Sequence, residues 1–493
     1  MPRSNFYIAL LIIAVSLACY SRTSIEEQIF HYTLQKVEDS ALEPVERESL
    51  FDGALDGMLR QTADYPYSAY LAPDEEAEYE EEIQGRLAGI GVFILGADRS
   101  KSPRLWIAPF HDSPADEANL RFGDRIAAAD GVEFAGLNLR EISEKLRGDE
   151  GTEVTLSVIG RESLLETSEK SPEEKEKDAT RTVTLTRRLI QQDIVTGDRR
   201  DSSGEWIFTL EKNERIGYVR IDQFTETTGN DFLAALEQLD GKIDAFILDL
   251  RGNPGGFLPA AIVVADPFLA DGDLIVTTRR RDGKIKGEFF ASDGKKYDWP
   301  IVVLIDGGSA SASEIVSAAL SDHKRATLLG ERSYGKGTVQ ELFPLPCSMG
   351  MLRLTDASFW RPSARPIHRR HDAKETDVWG VTPDIAVPVS IRQSATALLY
   401  RDIRTLAEYG ENFDTLNRLA GIRLDELAAE GFEEEDEDGE PLDGEQETSK
   451  EPAEKSPDEV KSPNESETPD GSAPYFDPVL ERAIGVLSEE KPH

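Results

Sequence analysis

The chain has 493 residues, enough for two or three domains with sizeable cores. Its 94 Asp and Glu against 55 Lys and Arg leave a net charge of −39, which repels phosphate backbones and argues against nucleic acid as a partner. The two cysteines, Cys19 and Cys347, form no disulfide framework and lack the spacing of a zinc site. Arg3 precedes an apolar run from Phe6 to Tyr20, followed by Ser21 and Arg22, which is the pattern of an export signal. The run falls short of the about twenty residues of a membrane span. A cleaved signal, a retained anchor and a lipoprotein signal all fit. Cys19 follows Leu17 and Ala18, but that leucine stands one place too close for the usual lipobox. Residues 1–23 are therefore expected to export the chain to the periplasm or cell envelope and to tether it to the membrane.

From 24 to 84 the apolar residues Ile29, Leu34 and Val37, then Leu50, Leu55, Met58 and Leu59, recur at helical spacing. Residues 85–190 change to short β-rich runs: Ile90 to Leu95, Leu105 to Ala108, Arg125 to Ala129, Val154 to Ile159 and Thr182 to Thr186. A helix from Asn138 to Leu146 interrupts them. The charged stretch Glu162 to Asp178 is expected to be a solvated loop.

Residues 191–395 alternate strands with helices. Strands are expected at Ile216 to Ile221, Ala245 to Leu250, Leu274 to Thr278, Ile301 to Ile305 and Ala326 to Leu329. Helices fall around Phe232 to Leu236, Pro259 to Phe268 and Ser313 to Leu320. Repeated βαβ order predicts a mostly parallel sheet covered by helices. A helical extension occupies 396–430, beginning at Thr396 to Glu408. The acidic tract 431–473 has too few apolar residues to offset chain entropy and is expected to be disordered. A short amphipathic helix, Asp477 to Leu487, closes the final segment 474–493 and either docks back or meets a partner.

Three loops carry candidate chemistry. Gly307 to Leu320, GGSASASEIVSAAL, places Ser311 where a buried strand passes into a helix. Unpaired N–H groups and the positive end of the helix dipole favour a developing oxyanion there. The same serine with Glu314 also reads as a plain capping box. Glu331 to Gln340, ERSYGKGTVQ, brackets Lys336 between Gly335 and Gly337. Small neighbours permit close approach, and burial would lower the lysine pKa towards that of a useful base. For a lone GKG, a surface lysine on a turn is the better reading. Asp249 to Gly256, DLRGNPGG, ends a strand in glycines whose amides suit an oxyanion, or simply turn the chain.

Taken together, these loops and GVTPDI at Gly380 to Ile385 resemble the carboxy-terminal processing (tail-specific) peptidases, the S41 family of serine proteases. The resemblance spans roughly Tyr65 to Pro388. It implies Ser311 as nucleophile, Lys336 as general base and Gln340 as support for the amine. From the placement of the loops, the Ala312 amide with that of Gly255 or Gly256 is the candidate pair of oxyanion donors. Within 85–190, AGIGVFI at Ala88 to Ile94 resembles the carboxylate-binding loop of a PDZ domain, and Ser113 to Gly131 resembles the stretch that follows it. Asn119 stands where glycine is usual and Phe122 where proline is usual. Gly89, Ile90, Gly91, Val92 and Phe93 are then the peptide-binding residues, taking an extended C-terminus by strand addition.

The expected fold class is thus α/β multidomain, a β-rich PDZ domain plus a ClpP/crotonase-like α/β peptidase core. A helical N-terminal segment and a disordered acidic tail flank it. The expected activity is serine endopeptidase cleavage near the C-termini of proteins with unstructured tails, with no cofactor and no metal. Homo-oligomerisation is compatible with this reading. A Ser-His-Asp triad through Asp322 and His323 is disfavoured, because His323 lies about 15 Å along the helix from Ser311. The competing class is a non-catalytic or latent PDZ peptide-binding scaffold of the cell envelope.

Overall fold

The computed structural model describes residues 24–397 apart from short internal stretches, scattered positions up to 423, and 477–489. The expected anchor in 1–23, the tract 431–473 and most of 396–430 lie outside the described residues. Among the described residues no helix is long and apolar enough to cross a membrane. The chain divides into two compact units, one of residues 1–79 with Thr338–Ala357 and one of Glu80–Gly337 with Ser358–His493.

The first unit begins with two helices, Ile25–Ser40 and Arg47–Leu59. Ser24 and Glu27 form a capping box that satisfies amides at the first helix start. The short strand Ala69–Leu71 runs antiparallel to Met351, Leu352 and Arg353. The Tyr70 hydroxyl donates to the Met349 carbonyl at 2.9 Å, and the Thr355 amide donates to Ser68 Oγ at 3.0 Å. This part of 24–84 is therefore a mixed helix and strand segment rather than an all-helical one.

Within the second unit, the β-rich part is a six-stranded antiparallel sheet. Its order is Val92–Ala97, Leu105–Pro109, Arg125–Ala129, Glu153–Ile159 and Thr180–Thr186, with Val132–Glu133 beside the third strand. Leu105, Ile107, Leu120, Ile126, Phe134, Leu156 and Val158 are buried beneath it, with Ile142 and Leu146 of the helix Leu139–Leu146. The expected strand Ile90 to Leu95 begins at Val92. Gly91 turns with φ +76°, so Arg86–Gly89 leaves to pair with Arg188–Gln191. The expected loop Glu162 to Asp178 instead contains two helices, Glu162–Leu165 and Pro172–Ala179. Ser171 and Glu174 make a capping box with Pro172 in the first turn, a helix start the charge pattern concealed.

The second sheet has seven strands, and its centre runs Asn213–Ile221, Ala245–Asp249, Ile301–Ile305, Thr327–Gly330 and Ile385–Ala386, all parallel. Val195–Thr196 and Thr209–Leu210 add antiparallel pairing to Asn213–Ile221. Ile301–Ile305 is buried at every residue, as expected for a parallel strand covered on both faces. Helices Thr228–Leu239, Leu258–Ala265 and Ala312–Asp322 bury Phe232, Leu236, Val264 and Ile315. The helix Pro478–Glu489 buries Val479, Ala483, Val486 and Leu487 in one cluster with Ile216, Tyr218, Ile247, Val302, Leu304 and Leu329. The last helix therefore docks on its own core.

One strand departs from the expected parallel order. Leu274–Arg280 forms an antiparallel hairpin with Ile285–Phe290 instead of joining the parallel sheet. The connecting turn carries Asp282 and Gly283, the latter at φ +79°. Asp-Gly is a strong hairpin signal.

Candidate active site

The carboxyl ends of Ala245–Asp249 and Ile301–Ile305 lie side by side and release the two glycine-bearing loops, the position where open α/β sheets place their ligands. After Ile305 the chain turns through Gly307 and Gly308 into the helix Ala312–Asp322, and Ser311 sits at its start with φ +51° and ψ −110°. A non-glycine residue held there costs on the order of 1–3 kcal/mol and persists only where its surroundings force it. Those surroundings are evident. Ser309 Oγ donates to the Leu250 carbonyl at 2.8 Å, Ala310 N–H to the Asn253 carbonyl at 3.0 Å, and Ser313 Oγ to that same carbonyl at 3.0 Å.

The capping box anticipated from Ser311 and Glu314 forms, but Glu314 does more than cap. Its side chain is fully buried. Oε2 accepts the Ser311 N–H at 2.9 Å, while Oε1 accepts the Ser333 hydroxyl at 2.5 Å and the Gly335 N–H at 2.8 Å. The Lys336 N–H also reaches this carboxyl. Burial raises its pKa to about 7, against the lowering effect of these donors. One carboxyl thus joins the serine turn to the lysine loop. The sequence signals only the cap; the further cue is a charged residue in the first turn of a helix that is buried from Ala312 to Leu320.

The Asp249–Gly256 loop begins on a buried ionic cluster. Burial alone would raise the Asp249 pKa, but the guanidinium groups of Arg251 and Arg220 outweigh it and hold the carboxyl well below the usual range. The Tyr218 hydroxyl donates to it at 2.8 Å. Farther along, Gly255 has φ +100°, and a β-carbon on it would stand 2.7 Å from Ser311 Cβ and 2.9 Å from the Ala312 nitrogen. The loop therefore lies directly against the serine turn. The Gly255 N–H is spent on Asn253 Oδ1 at 2.8 Å, which removes it as an oxyanion donor. Gly256 pairs with Phe224 through its neighbours, Phe224 N–H to the Gly255 carbonyl and Phe257 N–H to the Phe224 carbonyl. That register aims the Gly256 N–H away from Phe224. Among the described residues neither the Gly256 nor the Ala312 N–H donates to a protein acceptor.

Lys336 is half-buried between two glycines that have no room to grow. A β-carbon on Gly335, at φ +90°, would meet Arg369 Cβ at 2.7 Å and Trp379 at 3.0 Å; one on Gly337 would meet the His368 nitrogen at 2.1 Å. Arg369 N–H donates to the Gly335 carbonyl at 2.8 Å and Phe359 N–H to the Gly337 carbonyl at 2.7 Å. Beside the loop, Trp379 lies beneath the guanidinium groups of Arg332 at 3.6 Å and Arg369 at 4.5 Å. Gln340 belongs to the strand Thr338–Pro344, and its Nε2 donates to the Thr338 and Thr355 hydroxyls. His323 caps the far end of the serine helix, with Nε2 2.8 Å from the Leu274 carbonyl.

At the second candidate site, Ser113 Oγ and Phe110 N–H both donate to the Gly91 carbonyl, at 2.9 and 3.0 Å, and Ala115 N–H donates to the Ile90 carbonyl at 2.9 Å. The loop carbonyls are thus held inward. Among the described residues the Ile90 and Gly91 amides donate to no protein acceptor. Val92–Ala97 is the edge strand of its sheet, and Phe93 is half exposed against Phe110. The Gly89 backbone stands beside the end of the helix Leu139–Leu146, whose last carbonyls accept from the buried Arg187. Asn119 adopts φ +57°, a conformation asparagine tolerates, and Phe122 is buried in the core. Both departures from the usual pattern are thereby accommodated.

Comparison with known proteins agrees with this layout. Residues 215–387 match the model of peptidase family S41, and residues 111–159 match that of the PDZ domain. The carboxy-terminal-processing protease of Bartonella bacilliformis is 32% identical over 389 residues, covering 77% of this chain and 79% of that protein. The carboxyl-terminal-processing protease of Synechocystis sp. is 35% identical over 318 residues, covering 64% and 68%. Carboxy-terminal processing protease CtpB of Bacillus subtilis is 30% identical over 355 residues, covering 71% and 65%. With its parallel-sheet core, its PDZ domain and these relatives, the chain belongs to the carboxy-terminal processing proteases of peptidase family S41, serine-type hydrolases of peptide bonds.

Proposed function

We propose that this chain cleaves near the C-termini of proteins with unstructured tails through a Ser311/Lys336 dyad. The observation that carries the reading is the Glu314 carboxyl, which takes N–H groups from both the strained Ser311 turn and the Gly335–Lys336 loop. Neutral Lys336 removes the Ser311 proton, and the alkoxide attacks a peptide carbonyl. The Ala312 and Gly256 amides receive the oxyanion, being the unspent donors beside the serine turn. Lys336 returns the proton to the leaving amine, and water releases the acyl product. Gln340, whose two N–H donors are held by threonines, keeps the supporting role that the family resemblance implies for it. The Ile90 and Gly91 amides take the terminal carboxylate of the tail, which lies along the edge strand Val92–Ala97. Export and tethering through residues 6–20 would place the enzyme in the cell envelope.

The experiment is mass spectrometry of tailed proteins incubated with wild type, Ser311→Ala and Lys336→Ala. Cleavage near substrate C-termini by wild type alone supports the reading. Full peptidase activity in a contaminant-free Ser311→Ala sample overturns it.

A further inference from the structure

The proposed oxyanion loop is gripped from the opposite end of the sequence. Arg251 opens the segment leading to Gly256, and its guanidinium is shared between two buried carboxylates. Nε and Nη2 donate to Asp249 at 2.9 and 2.6 Å, while Nη1 and Nη2 donate to Asp477 at 3.0 and 2.8 Å. Asp477 also caps the last helix, since its Oδ1 accepts the Val479 and Leu480 amides at 3.0 and 3.1 Å. Its side chain is 3% exposed. Four apolar residues of that helix hold it on the parallel sheet, so the carboxylate has a fixed place to act from.

Arg251 is coupled tightly to the residues after it. Gly252 N–H donates to Asp306 Oδ1 at 2.8 Å, and Asp306 opens the serine turn. Asn253 then binds both the Gly255 amide and, through its carbonyl, the Ala310 amide. A guanidinium deprived of one buried carboxylate must rotate or draw in water to replace two hydrogen bonds. Rotation of Arg251 would pass directly to Gly252 and from there to the donor at Gly256.

We infer that Asp477 is a positioning residue for the oxyanion loop, so that the C-terminal helix is a working part of the catalytic apparatus and not only a cover for the sheet. The inference rests on the proposed roles of Ser311 and Gly256. Asparagine caps a helix as well as aspartate does, so Asp477→Asn keeps the cap and removes the charge that holds Arg251.

The test compares full-length wild type with Asp477→Asn, Asp477→Glu, Val486→Ala and Lys212→Ala. Lys212 pairs with Glu481 on the exposed side of the same helix, so its loss leaves Arg251 untouched. Three quantities are measured: kcat and KM on a tailed substrate, the rate of Ser311 acylation by a fluorophosphonate probe, and the melting temperature. Asp477→Asn is expected to lower kcat and the acylation rate by about 10- to 100-fold. KM should stay within about twofold. Asp477→Glu should recover part of the loss, and Lys212→Ala should match wild type. Val486→Ala weakens docking without touching the ion pair and serves as the stability-matched comparison. Equal kcat for Asp477→Asn and Val486→Ala at matched melting temperature would overturn the inference, as would wild-type kcat in Asp477→Asn. A wild type that neither cleaves nor reacts with the probe would instead sink the underlying catalytic reading.

Discussion

Gly255 and Ser311 leave no space for a β-carbon between them, since one added to Gly255 would stand 2.7 Å from Ser311 Cβ and 2.7 Å from the Ala310 carbonyl oxygen. The contact lies against the backbone of the serine turn, which cannot yield as a flexible side chain would. Gly255 also has φ +100°, outside the range that an alanine adopts cheaply. Gly255→Ala is therefore expected to displace the oxyanion loop and lower kcat by about 100-fold or more. Steady-state kinetics on a tailed substrate, with a melting curve to confirm folding, checks this. Unchanged kcat in a folded variant would mean the loop is not part of the catalytic geometry.

The Glu314 carboxyl gives a pH dependence of opposite sign to that of most carboxylates. Its pKa rises from 4.5 to about 7 on folding, chiefly through burial, so the folded state holds its proton more tightly than the unfolded chain. The stabilising contribution is fully present below about 4.5 and is lost as pH rises through about 7. Measured against Glu314→Gln, which does not titrate, wild-type stability should fall by about 3 kcal/mol between pH 4.5 and pH 8. Denaturant melts of both proteins at a series of pH values give the difference directly. Parallel curves would show that folding leaves the Glu314 pKa where it stands in the unfolded chain.

How far the sequence disclosed this arrangement depends on whether a feature is local. Ser311, Lys336 and the DLRGNPGG loop stood out because each sits in a short glycine-bearing motif at a strand end. The parallel strands Ala245–Asp249 and Ile301–Ile305 announced themselves as unbroken apolar runs. The hairpin Leu274–Arg280 with Ile285–Phe290 was misassigned because one apolar run cannot reveal its partner. Glu314 was seen only as a cap because its other partners, Ser333 and Gly335, are 19 and 21 residues away. Asp477 and Arg251 are 226 residues apart, and no motif joins them. The Gly255 amide looked available until Asn253, two residues earlier, proved to hold it.

The peptide loop makes a separate prediction. A β-carbon on Gly91 would stand 2.3 Å from Ser113 Cβ, and Gly91 has φ +76°. Gly91→Ala should push the loop off Ser113 and misdirect the Ile90 and Gly91 amides proposed to hold a terminal carboxylate. Affinity for a peptide with a free C-terminus should fall by about 10-fold or more. Affinity for the same peptide with an amidated C-terminus should be weak in both proteins. Fluorescence anisotropy with the labelled pair measures this, in a Ser311→Ala background so that nothing is cleaved. Equal affinity of wild type and Gly91→Ala for the free carboxylate would assign tail recognition to another surface.

The lysine loop is held most rigidly at Gly337, where a β-carbon would stand 2.1 Å from the His368 backbone nitrogen and 2.5 Å from its Cα. Neither neighbour can move without breaking the loop's own attachments, Arg369 N–H to the Gly335 carbonyl and Phe359 N–H to the Gly337 carbonyl. Gly337→Ala must therefore shift the loop that carries Lys336, and kcat should fall by about 100-fold. A general loss of structure would also lower kcat, so the decisive comparison is a double-mutant cycle with Lys336→Ala. If the glycine acts by aiming the lysine, Lys336→Ala with Gly337→Ala should be no slower than Lys336→Ala alone, because the aimed group is already gone. If the two losses multiply instead, Gly337 supports the fold independently of the base, and the proposed chemistry at Lys336 gains nothing from the narrowness of its loop.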